Sequence, residues 1–158
     1  MDLLSACESG DLRNVKTLLT KIESDKSKAL YIACSRGHID IVKYLIEECR
    51  VEPWQHELFG ACKEGRTEVV KYLVEECHAR IGAEDNRALK LASKENHTDV
   101  IILLIENGAH MYVNDYEPLK WAKYYRNQEL IDYLIESGAD KRVLKMIIML
   151  KVDNYGQL

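Results

Sequence analysis

Proline and phenylalanine are scarce in this sequence: its 158 residues include two prolines, Pro53 and Pro118, and a single phenylalanine. No Pro-rich or Gly/Ser-rich linker divides the chain, so we expect one continuous domain over residues 1–158. Hydrophobic residues make up 47% of the chain and charged residues 30%, which is typical of a folded globular protein and argues against disorder.

An excess of positive charge and a long apolar run are also missing. The net charge is −4 and the sequence pI is about 5.8, so we expect no nucleic-acid partner. The longest aliphatic run, residues 100–105, is far too short to span a bilayer, so we expect no membrane partner. The first residues lack the basic segment of a signal peptide. These features predict an intracellular protein, cytoplasmic or nuclear.

Ligand and cofactor motifs are equally sparse. The five cysteines include no Cys-x₂-Cys pair, which a structural zinc site usually needs. An odd number of cysteines without a signal peptide indicates reduced thiols. Neither the phosphate-binding pattern GxxxxGK[ST] nor a GxGxxG string occurs. We therefore predict no metal site and no cofactor.

Internal repetition is the strongest signal that is present. Residues 33–49, ACSRGHIDIVKYLIEEC, are echoed by residues 61–77, ACKEGRTEVVKYLVEEC. An alanine, which we call the anchor, recurs at this point of every unit, and a leucine stands twelve residues after it. The anchors are Ala6, Ala33, Ala61, Ala92 and Ala122, and the leucines are Leu18, Leu45, Leu73, Leu104 and Leu134. Self-similarity at a short period predicts a repeat array.

Each unit has the pattern of two short helices. A glycine four residues after the anchor, at Gly10, Gly37 and Gly65, suits the left-handed residue that often ends a helix. The apolar residues at +9, +12 and +13 then share one face of a second helix. A carboxylate opens that helix, where the helix dipole favours it, at Asp40, Glu68, Asp99 and Glu129. Neither helix can bury its apolar face alone, so the units must stack.

The strings GHIDIVKYLIEECRVEP, ALKLASKENHTDVIILLIENGAHM and EPLKWAKYYRNQELIDYLIESGAD resemble ankyrin repeats. The resemblance covers roughly residues 2–142. It implies an all-α solenoid of about five helix-turn-helix repeats with short or partial β-hairpin fingers. We place the repeats at about 1–27, 28–55, 56–86, 87–116 and 117–142, and a capping half-repeat at 143–158.

Several positions depart from the family pattern. Asn96 and Arg126 stand where the glycine between the two helices is expected, and asparagine tolerates a left-handed conformation better than arginine. Cys49 and Cys77 stand where the glycine that ends the second helix is expected, a glycine that survives as Gly108 and Gly138. The spacings between units are shorter than the usual 33 residues, so we expect incomplete fingers in the first two repeats.

The resemblance also implies a function: binding another protein through a concave face lined by the first helices. Positions +2 and +3 after each anchor are expected to face that concavity. They are polar in the early repeats (Glu8, Ser9, Ser35, Arg36, Lys63, Glu64, Lys94 and Glu95) and aromatic in the fifth (Tyr124 and Tyr125). We add Trp121, Tyr116 on the preceding finger, and Met149 and Leu150 in the cap to the candidate site. Buried aromatic side chains carry much of the energy of protein interfaces.

Three alternatives remain at this point. Trp121 could instead be a core residue. The apolar cap could support weak self-association, or make the chain a structural segment of a larger assembly. Cys34 and His38 lie four residues apart and could form a thiol–base pair, but a cysteine also follows the anchor at Cys7 and Cys62. Recurrence in three repeats favours packing over catalysis, so we predict that the protein is not an enzyme.

Overall fold

The computed structural model describes residues 2–20 and 25–137. These residues form five consecutive pairs of α-helices, one pair for each predicted repeat. The inner helices are α1 (Leu3–Ser9), α3 (Lys26–Arg36), α5 (Gln55–Lys63), α7 (Ala83–Lys94) and α9 (Val113–Tyr124). The outer helices are α2 (Leu12–Leu19), α4 (Ile39–Lys43), α6 (Thr67–Glu75), α8 (Thr98–Glu106) and α10 (Gln128–Glu136). No strand occurs within the described residues, and the predicted all-α stack of helix pairs is confirmed.

The helices pack in two rows. Each inner helix contacts the next inner helix along the chain, from α1 through α9, and the outer helices form a parallel row from α2 through α10. Within a unit, the inner helix also packs against its own outer helix. Units that are adjacent in sequence are therefore adjacent in space, as in other repeat proteins.

The core between the rows is built from the recurring apolar positions. All five anchor alanines have 0% exposure, and their small side chains let neighbouring inner helices approach closely. The leucines at +12 are buried in the second to fifth units; in the first unit Leu18 is half-buried and Leu19 fills the core instead. Burying one leucine stabilises a fold by roughly 1.5–3 kcal/mol, so the repetition of this position supplies much of the stability.

Each inner helix ends at a residue in the left-handed conformation, four residues after the anchor. The φ angles at these five positions are 75° (Gly10), 85° (Gly37), 67° (Gly65), 58° (Asn96) and 55° (Arg126). The N–H of the following residue donates to the anchor's carbonyl in every unit, at 2.8–3.0 Å, which satisfies a carbonyl at the helix end. Asn96 and Arg126 thus adopt the conformation for which glycine is expected.

The outer helices of the second and third units end differently from the sequence prediction. The left-handed residue there is Arg50 (φ 56°) or His78 (φ 54°), one position beyond the cysteine. The N–H groups of Cys49 and Cys77 donate to carbonyls five residues earlier, at 3.2 Å, so the last turn is wide. In the second unit this turn is a π-helix, Tyr44–Glu48. The two cysteines therefore do not take the place of Gly108, because an additional residue in the turn moves the left-handed position along the chain.

The connections between units are turns rather than β-hairpins within the described residues. One of them ends at Trp54, whose N–H donates to Glu57 Oε2 at 2.8 Å and so caps the start of α5. Glu57 is buried, and burial raises the pKa of its carboxyl. In the fourth unit, Asn86 at the start of α7 accepts the His110 N–H at 3.3 Å and ties the next connection to this helix.

Candidate functional site

Three aromatic side chains of the fifth repeat form one cluster, which we call the aromatic cluster: Trp121, Tyr124 and Tyr125. The ring centroids of Tyr124 and Tyr125 are 5.1 Å apart at an interplanar angle of 87°. The Trp121 ring meets Tyr124 edge-on at 5.7 Å and stacks on Tyr125 at 6.2 Å and 28°. These separations are typical of favourable aromatic contacts, so each ring restricts the orientation of the next.

The cluster is only partly covered by the rest of the protein. The exposed fraction is 57% for Tyr124 and 42% for Tyr125, whereas Trp121 is half-buried. The Trp121 Nε1–H donates to Glu117 Oε1, one turn earlier on α9, at 3.3 Å. Trp121 is thus neither a fully buried core residue nor a free surface residue, and it forms the base on which the two tyrosines rest.

Tyr125 also links two repeats. Its hydroxyl donates to the carbonyl of Lys94, at the end of α7, at 2.8 Å. The same +2 carbonyl accepts a side chain from the next repeat at every earlier junction: His38 Nε2 lies 3.1 Å from Glu8 O, Arg66 Nε 3.0 Å from Ser35 O, and His97 Nε2 2.8 Å from Lys63 O. The sequence pattern does not reveal these inter-repeat hydrogen bonds, because the donors differ in type and, for Tyr125, in position.

The polar +2 and +3 residues of the earlier repeats are mostly exposed, as expected for a solvated face. Lys63, Glu64, Lys94, Glu95 and Arg36 are exposed. Arg36 lies 3.9 Å from Glu8 across the first junction, and Lys63 lies 3.8 Å from Glu64. About half of each of these four side chains is exposed to solvent, so the two ion pairs contribute little to stability.

Ser35 departs from the expected arrangement. The residue is half-buried, and its hydroxyl is fully enclosed without a hydrogen-bond partner. It lies against Gly60 of α5, where a Cβ would come within 2.5 Å of Ser35 Oγ and 3.0 Å of the Tyr31 ring. Gly60 lets α3 and α5 approach closely here, and that approach turns Ser35 into a packing residue.

The remaining candidates have separate outcomes. Tyr116 was expected on the finger, but it lies within α9 with φ 65°, half-buried, and its ring meets Tyr112 edge-on at 5.1 Å. The expectation was wrong because the helix of the fifth unit starts earlier than the family pattern implies. Met149 and Leu150 lie outside the described residues, and so does the predicted capping half-repeat.

Further exposed aromatic residues lie away from the cluster. Trp54 is 68% exposed at the start of α5, and Tyr31 and Tyr112 are also exposed. The sequence offered only a weak signal for them: Trp54 and Tyr112 immediately precede α5 and α9, and Tyr31 lies in the middle of α3.

The thiol–base alternative is opposed by the surroundings of the cysteines. Cys7, Cys34 and Cys62 are fully buried, and burial raises the pKa of each thiol, that of Cys7 to about 11. A nucleophilic cysteine needs the opposite shift, toward the thiolate. His38 is held between repeats by its contact with the Glu8 carbonyl. The buried thiols are therefore suited to packing.

Metal sites and membrane-spanning helices are the other features to consider in the described residues. Among residues 2–20 and 25–137, no three His, Cys, Asp or Glu side chains come together as a metal ion would require. None of the helices in the described part of the chain has the length and hydrophobicity needed to cross a lipid bilayer.

Comparison with known proteins identifies similar sequences. The profile of the family described as ankyrin repeats (3 copies) matches residues 3–85 and 58–145. The ankyrin repeat and KH domain-containing protein mask-1 of Caenorhabditis elegans is 34% identical over 154 residues, which covers 89% of this chain. The mitochondrial liver isoform of glutaminase from Rattus norvegicus is 35% identical over 66 residues, 38% of this chain.

The chain spans a small share of these relatives. The matched part is 6% of the mask-1 protein and 11% of the rat glutaminase. The similarity therefore concerns a repeat segment in each relative and not the relative as a whole.

Proposed function

The chain belongs to the ankyrin repeat family, whose repeats are generally protein–protein interaction modules, and we propose that it is a non-catalytic adaptor, scaffold or inhibitor that binds a partner protein through its inner-helix face. The partner's contact is centred on the aromatic cluster of the fifth repeat. The observation that carries this proposal is that Tyr124 and Tyr125 are exposed to solvent and lie against the half-buried Trp121.

Physical considerations support this choice of site. Aromatic side chains bury a large area at a low entropic cost because they have only two rotatable side-chain bonds. In the cluster, ring contacts and the Tyr125–Lys94 hydrogen bond fix the rings before binding. A preorganised surface loses less conformational entropy when a partner docks. The cluster thus combines exposed apolar area with rigidity, the two properties of an interface hot spot.

In this proposal, the polar residues of the earlier repeats determine which partner proteins bind. Exposed charges at the edge of an interface change the rate and the salt dependence of association more than the affinity. Lys94 and Glu95, at the end of α7, adjoin the cluster through the Tyr125 hydrogen bond. Lys63, Glu64 and Arg36 extend the same surface toward the first repeat, while Ser35 contributes to packing instead.

The proposal is tested with two single substitutions that separate binding from stability. Tyr124→Ala removes an exposed ring and no inter-repeat hydrogen bond, so we expect a partner captured by the wild type to bind at least about 30-fold more weakly, the equivalent of about 2 kcal/mol. Its thermal melting is expected to stay close to that of the wild type. Partners are captured from a cell lysate, identified by mass spectrometry and then measured with purified proteins.

Tyr125→Phe is the matched control. It keeps all three rings and their mutual contacts but removes the hydrogen bond to Lys94, so we expect lower thermal stability and a loss of binding much smaller than that of Tyr124→Ala. A partner that binds Tyr124→Ala as tightly as the wild type would place the interface elsewhere. Loss of folding in Tyr124→Ala would make that residue structural and remove it from the site.

A second candidate is a structural role within a larger assembly. It is supported by the relatives, in which the matched segment is a small part of a much longer chain. The version of this role that acts through self-association, which was predicted for the apolar C-terminal cap, is tested by light scattering. A mass that rises with concentration would support it, and a strict monomer would exclude self-association.

A further inference from the structure

A second feature of the inner-helix side lies at the opposite end of the array from the aromatic cluster. A surface cavity of about 510 Å³ lies between α1 and α3, and we call it the α1–α3 cavity. Its lining is partly apolar, from Leu3, Leu4 and Ile32. Such a volume is within the range of ligand sites.

The charges that line the cavity are unbalanced. Three carboxylates, Asp2, Glu8 and Asp25, share it with one ammonium group, Lys28, so two negative charges are in excess. Outside the lining, Arg36 approaches Glu8 to 3.9 Å, but both side chains are more than half exposed and solvent weakens the pair. Among the described lining residues, the carboxylates therefore still outnumber the cationic groups.

Asp2 is fixed in its charged form by the start of α1. Its Oδ1 accepts the Ser5 N–H at 2.8 Å, and this hydrogen bond lowers the pKa of the carboxyl. A carboxylate held at the edge of the cavity by the backbone is already oriented, so binding a cation there loses little side-chain entropy.

We propose that the α1–α3 cavity receives an arginine or lysine side chain from an extended segment of the partner protein. The aliphatic stem of such a side chain matches Leu4 and Ile32, and its cationic end matches the carboxylates. An anionic or purely apolar group would leave the carboxylates desolvated and unpaired. This inference rests on the proposed protein-binding role, but on residues separate from the aromatic cluster.

The two features together define the kind of segment that fits. Inner helices of successive repeats are roughly 10 Å apart, so the cavity and the cluster are separated by about 30–40 Å. An extended chain covers that distance in about 10–12 residues. The partner segment is then basic at the end that meets the first two repeats and apolar at the end that meets the fifth.

The test uses a blocked pentapeptide in which two arginines alternate with leucines, and a counterpart in which citrulline replaces arginine. Each is titrated into the ¹⁵N-labelled protein and followed by backbone amide resonances. We expect the arginine peptide to shift resonances of α1 and the first half of α3, with saturation, and the citrulline peptide to shift them far less. Raising the salt concentration from about 0.05 to about 0.5 M is expected to weaken binding of the arginine peptide, because exposed charges are then screened.

Isosteric variants show whether the carboxylates are responsible. Asp2→Asn, Glu8→Gln and Asp25→Asn together remove three charges, while asparagine still caps α1 and tolerates the left-handed Asp25 position. We expect about a five-fold or greater loss of affinity for the arginine peptide. The control changes the net charge equally at the exposed starts of outer helices: Glu68→Gln, Asp99→Asn and Glu129→Gln. It is expected to keep the wild-type affinity.

The proposal is overturned if the arginine peptide shifts no resonance around the cavity, if citrulline binds equally well, or if the control loses as much affinity as the cavity variant. None of these results bears on the aromatic cluster, because the resonances of Trp121 and Tyr124 are read separately. Conversely, a partner that binds Tyr124→Ala as tightly as the wild type would not affect the conclusion about the cavity.

Discussion

At the scale of single residues, backbone conformation constrains the sequence most where each inner helix ends. Five equivalent residues are left-handed, and three of them are glycine, which takes this conformation without a steric cost. The other two differ from one another. Asn96 Oδ1 accepts the Asn127 Nδ2–H at 2.9 Å and so has a second role, whereas Arg126 is exposed. Arg126 is therefore the left-handed residue at which substitution by glycine should relieve strain without losing another interaction.

We predict that Arg126→Gly stabilises the protein. A left-handed L-residue costs about 1–2 kcal/mol, and the greater freedom of glycine in the unfolded chain cancels part of the gain, so the net increase in the free energy of unfolding should be about 0.5–1 kcal/mol. Urea unfolding measures it. Asn96→Gly is the comparison, and it should bring no gain because the hydrogen bond from Asn127 is lost. A destabilised Arg126→Gly protein would mean that the side chain makes a contact worth more than the strain.

At the scale of the helices, the junctions between repeats share one geometry and differ in chemistry. The carbonyl two residues after the anchor accepts a side chain of the next repeat in each case, but the donor is His38, Arg66, His97 or Tyr125. The histidines and Arg66 lie against the left-handed glycine of the preceding repeat. The helix-ending glycine therefore serves two purposes: it permits the turn, and it leaves room for the next repeat's side chain.

Gly65 and Gly108 separate these two purposes. Both have positive φ, but a Cβ on Gly65 would overlap the His97 ring, whereas a Cβ on Gly108 would meet nothing within 4 Å. We predict that Gly108→Ala costs about 0.5–1 kcal/mol, because the strain is partly offset by the lower entropy of alanine in the unfolded chain, and that Gly65→Ala costs about 1–3 kcal/mol more from overpacking. Chemical denaturation of both variants measures the difference.

The overlap at Gly65 has its own control. In the background of His97→Ala, the additional cost of Gly65→Ala should fall toward that of Gly108→Ala, because the ring that causes the overlap is gone. Additive effects of the two substitutions would contradict this account, since substitutions at sites that share a contact should couple.

At the scale of the whole molecule, stability comes from stacking. Each unit packs against the units before and after it, so an internal repeat is held on two sides and a terminal repeat on one. Opening of the structure should begin at the ends of the array, where fewer contacts have to be broken. The cysteines that follow the anchors, Cys7, Cys34 and Cys62, are all fully buried. Their reactivity therefore measures how readily the first, second and third repeats open.

We predict a graded order of thiol alkylation in the native protein. Cys49 and Cys77 are half-buried and should react first. Among the buried thiols, Cys7 should react at least several-fold faster than Cys34 and Cys62, because its inner helix packs against one neighbouring described inner helix and theirs against two. Mass spectrometry after timed alkylation gives the order. Equal rates for the three buried thiols would instead indicate that the described repeats open as one cooperative unit.

Much of the fold could be predicted from the sequence because it depends on local, periodic information. The anchors, the leucines at +12 and the glycines at +4 specified the helix pairs, their breaks and their stacking, since an apolar stripe on a short helix has to be covered by a neighbour. The conformation of Asn96 and Arg126 followed from the same register. Of the candidate site, the sequence indicated the aromatic character of the fifth repeat, but not how its rings meet.

Only the tertiary structure decided which side chains reach across from one repeat to the next. It joined Trp121, Tyr124 and Tyr125 into one cluster, bound Tyr125 to Lys94, enclosed Ser35 against Gly60, placed Tyr116 in α9 and opened a cavity between α1 and α3. The Tyr125–Lys94 hydrogen bond, the Ser35–Gly60 contact and the cavity depend on distances between residues about 20–30 positions apart, whereas the cluster and the place of Tyr116 depend on the geometry within α9. A repeat pattern fixes which positions face a neighbour, but the shape and chemistry of each contact depend on both partners at once.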